Sequence, residues 1–332
     1  MTSIKLKLYG DFMKLPRILG AFLLVVNCSA YAQNYLEGSR PLKIIVPFGA
    51  GSGSDLLARA YSRAIEEIAQ INVVVENKPG ANGIIGAQAA KSEKPDGYTM
   101  FMTNSSTQVL NQHLFAKIPY SPLRDFVPVS GIAKFSLVLN AGPSTKFKNA
   151  AELISAIKDN PGKYTYGYGT GSTQLSAEMM VHLSKGKMVA VPYKTMAAAT
   201  LALASGEIDV LMNDASTAMP YYKSGQARPL ATTGRTRMVA LPEIATLQEQ
   251  GLRDYEFTGW YAMYFPAKTS DSIVSKMQDI LHKASRTKYV EDALAVNAFE
   301  PLEMTGSQIN ELQRKETEKW GKLIRDMGMQ PH

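Results

Sequence analysis

The chain has 332 residues, 45% apolar and 20% charged, and 36 Lys and Arg against 29 Asp and Glu give a formal charge of +7. This composition excludes a disordered or fibrous protein, and a chain this long buries about three quarters of its unfolded surface without a disulfide or metal staple. The one cysteine, Cys28, excludes an internal disulfide framework and a cysteine zinc site, and the four histidines, His113, His182, His282 and His332, contain no local ligand pair, which argues against a metalloenzyme.

Residues 1–32 read as an export signal. Lys5, Lys7, Lys14 and Arg17 make a basic start, 18–26 is a short apolar run, and Ala30-Tyr31-Ala32 is a cleavage site. The run is shorter than the about 20 residues that span a bilayer. Met13 would also serve as the start. Lipidation of Cys28 is the alternative, and Val25-Val26-Asn27 is a poor lipobox. Cleavage before Gln33 would leave 32 basic and 28 acidic residues, a mild +4, and no cysteine. That suits an oxidising, periplasmic compartment. No concentrated basic run invites nucleic acid. The mild positive charge is compatible with small anions.

After the signal the pattern is strand, Gly-rich turn, helix, repeated. A strand at 43–46 leads into the turn Pro47-Phe48-Gly49-Ala50-Gly51-Ser52-Gly53-Ser54. Leu56, Leu57, Ala60, Tyr61, Ala64, Ile65 and Ile68 then recur at helical spacing, with Ser52 and Asp55 resembling a capping box. A strand at 73–76, a loop at 78–83, an alanine-rich helix and a strand at 98–102 follow. The third strand ends in Thr103-Asn104-Ser105-Ser106-Thr107. A second unit has a helix at 150–158, a strand at 164–168, the turn Gly169-Thr170-Gly171-Ser172-Thr173, a helix marked by Leu175, Met179 and Leu183, and strands at 188–191 and 208–212. Alternating strands and helices predict an α/β fold with mostly parallel sheets covered on both faces. Apolar extended segments at 135–139 and 257–265 read as two crossings between lobes.

The turns at 49–54 and 169–173 are the candidate site. A helix N-terminus carries unpaired N–H groups and the positive end of the helix dipole. Glycines let an anion approach the backbone, so such a turn binds carboxylate without Lys or Arg. Both turns have Ser where a dinucleotide fingerprint wants its last Gly, and neither contains the Gly-Lys-Ser/Thr of a phosphate loop. No G-x-S-x-G, S-x-x-K or H-E-x-x-H motif is present. Asp55 reads as a helix cap, Asp214 as the end of a strand facing the cleft, and His113 and His182 as surface or core-edge residues. Tyr164, Tyr166 and Tyr168 share one strand face, and Tyr168 is nearest the turn.

Together these residues resemble the Bug family, the periplasmic substrate-binding proteins of tripartite tricarboxylate transporters. The markers are Arg40-Pro41-Leu42-Lys43-Ile44-Ile45-Val46-Pro47-Phe48, Ser54-Asp55-Leu56-Leu57-Ala58-Arg59, Val75-Glu76-Asn77-Lys78-Pro79-Gly80-Ala81-Asn82-Gly83 and Pro95-Asp96-Gly97-Tyr98-Thr99. Asp125-Phe126-Val127-Pro128-Val129, Asn160-Pro161-Gly162-Lys163, Val191-Pro192-Tyr193-Lys194 and Leu241-Pro242-Glu243-Ile244-Ala245-Thr246 continue them. The resemblance implies a type II-like periplasmic binding protein, two lobes closing on a small carboxylate that a membrane permease then takes, with no catalysis and no cofactor. Ser52, Tyr168, Gln174 and Thr195 depart from the family's usual glycine, small residue, histidine and glycine.

The expectation is therefore one lobe from residues 33–137 with 258–332, a second from 138–257, and a hinge of two crossings. The expected ligand contacts are Phe48, Ala50, Gly51, Ser52, Ser54, Thr103, Ser105, Tyr168, Thr170, Gly171, Ser172, Thr173, Tyr193 and Asp214. The expected partners are a small organic carboxylate and permease subunits, with no metal, no nucleic acid and a monomeric chain. The alternatives are a periplasmic hydrolase or transferase using the same cleft, or an orphan receptor feeding a sensor protein.

Overall fold

The computed structural model describes Tyr35, Leu36 and residues 40–331, so the expected export signal lies outside the described residues. The chain divides into two compact units, residues 1–38 and 39–332. Of the first, only a turn at Tyr35 and Leu36 is described. The second holds all the elements that follow.

The strand β1 (Leu42–Val46) is buried except at Lys43 and pairs in parallel with β2 (Val73–Asn77) on one side and β3 (Thr99–Asn104) on the other. The connection to β2 is α1 (Gly53–Ala69), capped by Ser52, whose side chain accepts from the Asp55 N–H. Leu57, Tyr61, Ala64 and Ile65 form the buried face of α1. Each large side chain there contributes about 1.5–3 kcal/mol by leaving water. A short 3-10 turn and α2 (Ile84–Lys91) lead to β3. β3 runs directly into a π-helical segment, Ser106–Leu110, and α3 (Asn111–Leu114).

The first sheet also takes β4 (Phe126–Phe135), β10 (Gly259–Pro266) and β11 (Glu300–Pro301), in the order β11-β4-β10-β3-β1-β2. The second sheet consists of β5 (Val138–Ala141), β6 (Thr165–Tyr168), β7 (Val189–Pro192), β8 (Val210–Asn213) and β9 (Arg228–Thr232), in the order β7-β6-β8-β5-β9. Its helices are α4 (Ala150–Asp159), α5 (Gly171–Ser184), α6 (Met196–Ser205) and α7 (Ala215–Tyr222). The C-terminal helices are α8 (Asp271–Ala284), α9 (Lys288–Asn297) and α10 (Gly306–Asp326). Every residue of β10 is buried, as befits a strand inside a sheet covered on both faces. Among the described residues no helix is long and apolar enough to cross a membrane.

Both sheets are mixed where mostly parallel pairing was expected: each joins a parallel set, β3-β1-β2 or β7-β6-β8, to antiparallel neighbours. β1 to β4 point one way with β10 and β11 reversed, and β6 to β9 point one way with β5 reversed. The reversed strands β5 and β10 are those by which the chain enters a sheet after leaving the other. The first passage takes Ser136 and Leu137. The return takes residues 233–258, so the apolar run expected as a crossing at 257–265 is largely β10 itself. Thr233 ties the two passages. Its N–H donates to the Leu137 carbonyl at 3.0 Å, its hydroxyl accepts from the Leu137 N–H at 2.7 Å and donates to the Phe257 carbonyl at 3.0 Å, and its carbonyl accepts from the Phe257 N–H at 2.8 Å.

Candidate functional site

A cavity of about 320 Å³ opens where the turns after β1, β6, β7 and β8 converge. These are the C-terminal ends of parallel strands, where open α/β sheets bind ligands. Four helix N-termini line it among the described residues: Gly53 and Ser54 of α1, Ser172 and Thr173 of α5, Met196 and Ala197 of α6, and Ser216 and Thr217 of α7. Phe135, Leu137 and Tyr261 give it apolar wall. Its charged lining is one acid, Asp214, and one base, the exposed Lys194. No histidine or cysteine lines it, and among the described residues no three His, Cys, Asp or Glu side chains stand where they could hold a metal ion. Cavities of about 340 and 380 Å³ lie elsewhere, one against α8 and the segment after β11, the other between α5 and α10.

The β1–α1 turn is held from beneath. Gly51 adopts φ +77°, which glycine takes without strain. Its N–H donates to the Asp55 carboxylate at 2.9 Å, and Asp55 also receives Arg59 and the Asn77 amide, each at 3.0 Å. Burial works to raise the Asp55 pKa, but the hydrogen bonds from Arg59, Gly51 and Asn77 outweigh it and hold the carboxyl below its ordinary value. Ser52 is thus the cap, and Asp55 returns its bond one residue earlier than a capping box would. At Gly53 a Cβ would stand 2.6 Å from Phe299, 2.8 Å from the Tyr261 hydroxyl and 3.0 Å from the Asp214 carboxylate. Only glycine lets the two sides of the cavity approach this closely.

Asp214 follows β8 and is the N-cap of α7, yet its side chain makes no capping bond. It accepts instead from the Gly53 N–H across the cavity. Loss of solvation pushes its pKa up to about 7, against the lowering effect of that bond. A second link across the cavity is Ser106, whose hydroxyl accepts from the Ser172 N–H at 2.9 Å and lies 2.8 Å from the Ser172 hydroxyl. The start of α5 is a full capping box. Thr170 accepts from the Thr173 N–H, and Thr173 accepts from the Thr170 N–H.

Of the residues expected at the site, Phe48, Ala50, Gly51, Ser52, Ser54, Thr170, Ser172, Thr173 and Asp214 line this cavity. Thr103, Ser105, Tyr168, Gly171 and Tyr193 do not. Strand alternation explains two of these, Thr103 and Tyr168. Thr103 is buried and the wall residue is its strand neighbour Asn104, while Ser105 lies past the end of β3 with helical backbone angles and is buried. Tyr168 is in phase with Tyr166, whose hydroxyl bonds Glu178 of α5, so it packs with that ring on the sheet face. Gly171 sits against Asn111 and Leu114. The Tyr193 hydroxyl turns outward to Glu207 at 2.9 Å. The expectation missed Thr195, Met196, Ala197 and Asn213. Thr195 caps α6 by accepting from the Ala198 N–H, a threonine before an apolar helical run that carries a readable N-terminal signal.

The model of the Tripartite tricarboxylate transporter family receptor matches residues 57–329. A UPF0065 protein of Bordetella pertussis is 30% identical over 322 residues, covering 96% of this chain and 99% of the relative. Protein BugT of the same organism is 27% identical over 321 residues, covering 96% and 98%. A solved structure described as R. palustris Rpa4515 with adipate superposes with a TM-score of 0.84 at 26% identity, covering 89% of this chain and 100% of that one. The two-sheet architecture, the helix N-termini gathered at one cavity and these likenesses agree: the chain belongs to the tripartite tricarboxylate transporter receptor family, with Bug proteins among its relatives.

Proposed function

We propose that the protein is a periplasmic receptor that captures a small organic carboxylate between two lobes and delivers it, unaltered, to the permease subunits of a tripartite tricarboxylate-type transporter. Among the described residues the lobes are 40–137 with 258–331, and 138–257, and they close about the two passages tied at Thr233. The observation that carries this reading is the convergence of four helix N-termini on one small cavity. Their dipoles, with those N–H groups not already bonded within the protein, favour a carboxylate without a basic side chain. The adipate named with the R. palustris structure supports a carboxylate ligand. The family and the signal pattern at 1–32 support export. The family's description as a receptor supports binding over catalysis.

A thermal-shift screen of small carboxylates tests this. A ligand present at about 100 times its dissociation constant stabilises the fold by about 2.7 kcal/mol. We expect one or a few acids to raise the melting temperature and to be recovered unchanged by mass spectrometry. Chemical conversion of the bound acid, or stabilisation by uncharged compounds alone, would contradict the proposal.

A further inference from the structure

We propose that Asp214 selects for an ammonium group, so that the ligand is an amino acid rather than a plain carboxylic acid; this rests on the carboxylate-receptor reading above. Asp214 is the one acid on a cavity wall otherwise built to attract anions. An aspartate at an N-cap ordinarily accepts from its own helix. Asp214 leaves that bond unmade and directs its carboxylate at the opposite wall, where the Gly53 N–H donates to it. No Lys or Arg among the described residues pairs with it, and its electrostatic surroundings are burial and that one N–H.

This arrangement has a consequence for the ligand. Asp214 already occupies the start of α1 and heads α7, and the N–H groups of Thr170, Ser172 and Thr173 are bonded within the protein, so a bound carboxylate has the start of α6, at Met196 and Ala197, and the positive dipole end of α5. A second carboxylate brought near Asp214 would place like charges in a poorly solvated cavity, which disfavours both. An ammonium there would do the reverse, giving the carboxylate a partner and favouring its charged form. The cavity volume, about 320 Å³, corresponds to roughly ten water-sized groups, the scale of a small amino acid. The other titratable groups near Asp214 are Tyr261 of β10, Tyr221 of α7 and Lys194 in the turn before α6. Burial holds the Tyr261 hydroxyl neutral.

The test is calorimetry on the exported chain with acids of matched skeleton, with and without the α-amino group: alanine and propionate, aspartate and succinate, glutamate and glutarate, phenylalanine and phenylpropionate. Malate supplies a hydroxyl control. We expect an amino member to bind about tenfold or more tighter than its partner. Asp214→Asn should bring the ratio of amino-acid to plain-acid affinity down to about one, and Asp214→Glu should retain part of the advantage. Affinity for the amino acid should rise between about pH 5.5 and about pH 8 as Asp214 ionises. A plain or hydroxy acid that binds as tightly as its amino counterpart overturns this inference and leaves the receptor reading standing. So does an Asp214→Asn protein, melting no lower than the parent, with undiminished affinity for the amino acid. If no acid of either kind binds, both fall.

Discussion

At Asp214 a carboxyl is kept where it costs the fold stability. Its pKa is pushed up to about 7 by burial, whereas an unfolded aspartate titrates near 3.9. Below about pH 4 both states are protonated and nothing is lost. Between about pH 4 and 7 the unfolded chain releases its proton and the folded one keeps it, so stability falls as pH rises. The full span would be about 4 kcal/mol, and its partial exposure to the cavity reduces this to about 1–2 kcal/mol. Asp214→Asn should therefore raise the melting temperature more at about pH 8 than at about pH 5. Urea unfolding at the two pH values checks it; an equal effect at both would show that Asp214 is fully solvated. At this scale the sequence was partly legible. Ser52 could be read as a cap from its place before an apolar helical run, whereas Thr170, read only as a turn residue, proved to be one as well. Thr103, Ser105 and Tyr168 were expected at the ligand and lie off the cavity wall; for the strand residues Thr103 and Tyr168, which face meets a cavity depends on the sheet packed behind it, and the order of residues in a strand does not carry that.

Thr233 is the element-scale counterpart. It is fully buried, and its hydroxyl alone joins the Leu137 N–H to the Phe257 carbonyl. Thr233→Val keeps the shape and leaves a buried donor and a buried acceptor without that partner. The expected loss is about 2–3 kcal/mol of stability. Hydrogen exchange should quicken at the Leu137 amide more than at the Phe257 amide, whose bond to the Thr233 carbonyl is retained. Uniform protection at both would mean the passages are held by other contacts. The alternating strands and helices around β1, β2, β6 and β8 were readable from periodicity and turn residues. The π-helical segment Ser106–Leu110 was not. Ser106, Thr107 and Gln108 look like a turn by composition, yet all are buried: the Ser106 N–H donates to Asn104, its hydroxyl accepts from the Ser172 N–H, and the Gln108 carbonyl accepts from Gln313. Ser172 and Gln313 come from distant parts of the chain.

For the whole molecule, two polar contacts span the cavity, Asp214 to Gly53 and Ser172 to Ser106. In the closure proposed above they belong to the closed arrangement and would part on opening about the Thr233 tie. Ser106→Ala removes one acceptor, and small-angle scattering should then give a larger radius of gyration than for the parent protein at the same subsaturating ligand concentration. Equal radii would show that the Ser106 contact does not help hold the two sides together. The central claim is that the cavity recognises a charged carboxylate through helix N-termini. The measurement that tests it most directly is calorimetry of the best acid from the screen beside its primary amide. Each charge-assisted hydrogen bond contributes about 1.5–3 kcal/mol, so loss of the charge should weaken binding by about a hundredfold or more. An amide that binds as tightly as the acid would contradict the account.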